Sequence, residues 1–83
     1  MGKTKKSNKS DVEFQAEFVK LGKRIKALRV AAGYTSAMKF AFDNGLSAVQ
    51  MARWEQGRNV TLGTLLKLAK TFKISLSELV QGV

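Results

Sequence analysis

"GLSAVQMARWEQG" runs from Gly45 to Gly57 and both opens and closes on glycine. Asn44-Gly45 is a strong turn signal, and Ser47 is a favourable N-cap for the residues that follow. Met51 and Trp54 stand three apart and share one side of the helix so begun, with Leu46 packed at its entrance. Gln50 and Arg53 share another side. Gly57 stands where a helix commonly ends on a left-handed residue. A helix from about Ser47 to Gln56 is too short to persist alone in water, so the flanking sequence must supply the core that holds it.

Working outward, the whole chain reads as helix. Proline is absent, and strand-like alternation lasts no more than a few residues. Upstream, Phe14, Phe18, Leu21, Ile25, Leu28 and Ala32 recur at steps of four and three, one apolar stripe on a long first helix. Ser10 and Glu13 have capping-box spacing at its start, and Gly33 suits its end. Lys20, Lys23, Arg24 and Lys26 fall mostly off the stripe. A second helix follows Thr35 or Ser36 and carries Met38, Phe40, Ala41 and Phe42. Downstream, Thr61 caps a fourth helix bearing Leu62, Leu65, Leu66, Leu68, Ala69 and Phe72. Ser75 and Glu78 form the capping box of a short fifth, with Leu76, Leu79 and Val80. The expectation is an all-α, compact five-helix bundle with an extended first helix. It forms a single domain over residues 11–83, behind a disordered basic tail at residues 1–10.

Eighty-three residues make one small domain. At about this size a single core supplies only about 3–5 kcal/mol, so many such chains are propped by disulfides, metals or a partner chain. Cysteine and histidine are both absent, which removes disulfides, the usual zinc sites and Ser-His or Cys-His nucleophile pairs. Hence neither an enzyme nor a metal or cofactor is expected, and a second chain is the remaining prop. Fifteen basic residues against six acidic give a net charge of +9. Lys3, Lys5, Lys6 and Lys9 carry part of it, yet the body stays basic without them. Such a balance points to a polyanion, most often nucleic acid. No apolar run approaches the roughly 18 residues needed to span a bilayer, and the basic N-terminus lacks the apolar core of a secretory signal. No membrane association is expected.

"LGKRIKALRVAAGY" (Leu21–Tyr34), "KFAFDNGLSAVQMARWEQG" (Lys39–Gly57) and "TLLKLAKTFKISLSELV" (Thr64–Val80) together resemble the phage Cro/CI repressor type of helix-turn-helix domain, also called the XRE family. The resemblance covers about Leu21 to Val80. Its most specific parts are the Ala41 to Gly45 spacing, the "RWEQG" close of the third helix and the "LLKLAK…ISLSEL" tail. It implies that the third helix enters the major groove of double-stranded DNA. The family's groove positions fall on Ala48, Val49, Gln50, Ala52 and Arg53. Apolar side chains can read a thymine methyl, while hydrogen-bonded readout rests on Gln50 and Arg53. Phosphate contacts fall on Ser36 and Ala37 at the start of the second helix, on Lys39 within it, and on Arg58 and Asn59 after the third. A glutamine common in this family near the start of helix two is here Ala37. The family also often pairs an arginine late in helix one with the glutamate of the "WE" step, which here implies a structural ion pair between Arg29 and Glu55.

The function so implied is a sequence-specific, repressor-like transcriptional regulator acting as a homodimer in the nucleoid-associated cytoplasm. The thin set of polar readers keeps a second class open, an antitoxin-like module that binds a protein partner and touches DNA weakly. Phe14 and Phe18 lie upstream of the usual domain start. They pack either on the chain's own last helix, at Leu76, Leu79, Val80 or Val83, or against a second copy.

Overall fold

The computed structural model of the protein describes residues 12–83. The basic tail and Ser10 lie outside the described residues. Among those described, five helices follow one another: α1 (Gln15–Ala31), α2 (Ala37–Asp43), α3 (Ala48–Glu55), α4 (Leu62–Phe72) and α5 (Leu76–Leu79). Each of the last four starts where a short hydroxyl side chain accepts from an otherwise orphaned backbone N–H. Ser36 accepts from Lys39, Ser47 from Gln50, and Thr61 from Thr64. Ser75 and Glu78 complete a reciprocal capping box.

The helix ends share one device as well. After α2, Gly45 takes a left-handed φ of 69° and the Leu46 N–H donates back to the Ala41 carbonyl at 2.8 Å. After α3, Gly57 has φ 94°, and the Gly57 and Arg58 N–H groups donate to the Trp54 and Arg53 carbonyls. After α4 the left-handed position falls to Lys73, with φ 61°. A side chain there costs about 1 kcal/mol that glycine would not.

The five largest fully buried side chains come one from each helix: Ile25, Phe40, Met51, Leu68 and Leu79. Phe40 is central. It stacks on Phe72 with ring centroids 5.1 Å apart and meets the Tyr34 ring nearly at right angles, with centroids 5.2 Å apart. The stripe on α1 is buried at Leu21 and Ile25, and Gly22 and Arg29 are buried beside it. Its ends differ from expectation. Phe14 and Ala32, the residues that flank α1, are exposed and Phe18 is half-buried. On α2 only Phe40 and Ala41 are buried, while Met38 and Phe42 stand 69% and 82% exposed. Seven residues make two turns, and a single neighbouring layer covers one side of them. No described helix is long and apolar enough to cross a membrane.

Candidate nucleic-acid interface

The inward side of α3 is set by Met51 and Trp54, both buried, and α3 packs against α2 and α1. Ala41, fully buried at the α2–α3 contact, is small enough for the two helices to approach. Three contacts fasten the C-terminal end of α3 to α1. At Gly22 a Cβ would lie 2.6 Å from the Trp54 carbonyl oxygen and 2.7 Å from that of Glu55, so only glycine lets the backbones meet there. At Gly57 a Cβ would come within 3.0 Å of the Val19 side chain.

Arg29 and Glu55 form the third contact. Nε and Nη2 of Arg29 donate to the two Glu55 carboxylate oxygens at 2.7 and 3.0 Å. Nη1 donates to the Tyr34 carbonyl at 2.8 Å, so all three guanidinium nitrogens are engaged. The two ion-pair side chains retain 5% and 11% of their exposure. The Glu55 hydrogen bond, with its charge, raises the Arg29 pKa above its ordinary value despite burial. This fork-to-carboxylate arrangement is geometrically demanding and joins helix one to helix three at a fixed distance.

The outward side of α3 carries the residues singled out for base contact, and the structure divides them. Val49, Gln50 and Arg53 are exposed. Among the described residues, neither Gln50 nor Arg53 has a hydrogen bond or ion pair through its side chain. Ala52 is half-buried, and Ala48 is half-buried and packed against the core.

The residues named for phosphate contact are also unequal. The Ser36 hydroxyl is occupied as an acceptor in the α2 cap, and Ala37 packs against the core. The Lys39 ammonium lies 3.2 Å from each Asp43 carboxylate oxygen. The Tyr34 hydroxyl donates to the same carboxylate at 3.1 Å. Bonds from Lys39 and then Tyr34 hold the Asp43 pKa below the ordinary carboxylate value, and the bond to Asp43 raises that of Tyr34. Arg58 and Asn59 are exposed just past the end of α3.

Gly22, Tyr34 and Asp43 were not among the residues the sequence brought forward. A glycine inside a helical stripe is a usable sign of close packing, and Lys39 with Asp43 has the four-residue spacing of a helix ion pair.

A short helix, a left-handed glycine turn and a second helix locked on one side and bare on the other define a helix-turn-helix domain. Residues 24–81 match the family model of the Cro/C1-type helix-turn-helix DNA-binding domain, and the chain belongs to that family. It is similar to a solved structure of the restriction-modification controller protein C.AhdI from Aeromonas hydrophila. The identity is 40% and the TM-score 0.71, over 81% of this chain and 97% of that one. No match was found among curated proteins. The protein is a DNA-binding transcriptional regulator.

Proposed function

We propose that this regulator reads a specific DNA site by laying α3 in the major groove, as a pair of identical chains. The observation that carries the reading is the two-sidedness of α3, whose inner side is fastened and whose outer side presents Val49, Gln50 and Arg53. Arginine pairs with guanine and glutamine with adenine, and valine suits a thymine methyl. Ala52 and Ala48 add little bulk beside them. Arg58 and Asn59, with the backbone at Ser36 and Ala37, supply backbone contacts that fix register without reading sequence. Two polar readers per chain specify few base pairs, which favours two chains on one site. The chain acts as a binding protein rather than an enzyme, in the cytoplasm where its DNA lies. Likeness to a restriction-modification controller supports control of genes of that kind.

A second reading, a protein-binding module, draws on Met38 and Phe42. They stand four residues apart on the uncovered side of α2.

Comparing Arg53→Ala with Arg58→Ala separates the two. Binding to a selected preferred duplex and to a random duplex is measured at one salt concentration. Arg53→Ala is expected to weaken the preferred duplex by about 1–3 kcal/mol and to leave the random one nearly unchanged. Arg58→Ala is expected to weaken both by similar factors. If the two variants behave alike, α3 touches only backbone and the protein-binding reading is the better one.

A further inference from the structure

We propose that Asp43, braced by Tyr34, is a positioning residue that holds Lys39 away from the DNA backbone and so lowers affinity for DNA of every sequence. The inference rests on the DNA-binding reading and deepens it. The sequence of α2 is AMKFAFD, in which Lys39 is the sole base and Asp43 the sole acid. They stand one helical turn apart, and the ammonium reaches both carboxylate oxygens at 3.2 Å. An isolated surface pair of this kind is weak and mobile, because each side chain gives up conformational freedom to form it.

Tyr34 changes that. It lies in the turn after α1, and its backbone is held at both ends. Its N–H donates to the Arg29 carbonyl, and its own carbonyl accepts from the Arg29 guanidinium. Its ring is set edge-on against the buried Phe40. The phenol therefore comes from a fixed frame, and its hydroxyl donates to Asp43 Oδ2 at 3.1 Å. A phosphate nearing the start of α2 meets an ammonium already paired and a carboxylate already oriented. Lys39 can turn to the phosphate only by leaving Asp43, which then faces a like charge. The depressed Asp43 pKa keeps the carboxylate ionised well below neutral pH.

The test is a double-mutant cycle on the full chain, with Asp43→Asn, Lys39→Ala and their combination, titrated with salt on a random duplex. Glu17→Gln on α1 makes the same change in charge elsewhere and serves as the control. Melting curves confirm that each variant is folded. In the parent, Lys39→Ala is expected to change affinity by no more than about twofold, as for an exposed paired charge. Asp43→Asn is expected to steepen the log-log salt slope by about 0.9, the value for one more phosphate neutralised. In that background Lys39→Ala should abolish the gain, and Tyr34→Phe in the parent should reproduce part of it. Additive effects of Asp43→Asn and Lys39→Ala, or an Asp43→Asn gain no larger than that of Glu17→Gln, overturn the clamp while the parent still binds with a salt slope. A parent whose binding ignores salt overturns the DNA-binding reading and the clamp with it.

Discussion

Met51 and Val49 stand two residues apart on α3, yet Met51 has no exposed surface and Val49 keeps 63% of its own. The inner side of the helix is held by a buried core, a backbone contact at Gly22 and a three-nitrogen guanidinium network. On the outer side Val49, Gln50 and Arg53 are exposed, and the side chains of Gln50 and Arg53 make no hydrogen bond or ion pair among the described residues. Anchored and exposed side chains are thereby kept apart on one eight-residue helix. Substitutions on the outer side are expected to disturb the fold less than those on the inner side.

The largest break in that contrast should come from Glu55→Ala. It strands the Arg29 guanidinium, which then keeps only its bond to Tyr34. A loss of about 3–5 kcal/mol in urea unfolding is expected, the cost of removing one partner from a buried pair. Replacing both members with apolar residues of similar size should recover part of it. Unchanged melting of Glu55→Ala would mean that α1 and α3 are not locked there. Gly22→Ala comes next. Its methyl would press on two backbone carbonyls, and about 1–3 kcal/mol is expected, as for overpacked sites. Because relief requires α1 and α3 to separate, binding to a preferred duplex should weaken too. An alanine tolerated on both counts would show slack at this contact. The smallest effect sharpens the comparison from the other side. Val49→Ala should alter thermal stability by no more than about 0.5 kcal/mol, as for exposed positions without special contacts. A larger loss would show that the outer side also serves the fold.

Much of this architecture is legible in the residues, because its signals are local. Ser47, Thr61 and the Ser75–Glu78 box announce helix starts, and Met51 with Trp54 follows from spacing alone. What spacing does not contain is where a neighbouring layer stops. Phe14 and Ala32 have the period of the α1 stripe and are nonetheless exposed, and apolar character alone does not tell that Met38 and Phe42 stand exposed while Phe40 is buried. Gly22 is hard to read from sequence for a related reason. Its partners are carbonyls near the end of α3, far along the chain. The pairing of Arg29 with Glu55 follows only from resemblance to a family, since no periodicity links residues in separate helices. The candidate site is less legible still. Ala48 stands three residues before the buried Met51 and packs against the core while Val49 faces out, a division that a list of groove positions does not carry. Nor does it show that Lys39 is already engaged by Asp43.

The contact at Gly22 also bears on the other molecule in the encounter. With α1 seated directly on the last carbonyls of α3, a shift of the helix toward α1 would press backbone on backbone. If α3 is the reading helix, a seat of this kind leaves part of the adjustment to the duplex. Base steps that the side chains never touch then influence binding, because pyrimidine–purine steps bend more readily than stiff A-tracts. On the proposed reading, operators for this protein should differ in strength through their flexibility as well as through the bases set against Gln50 and Arg53.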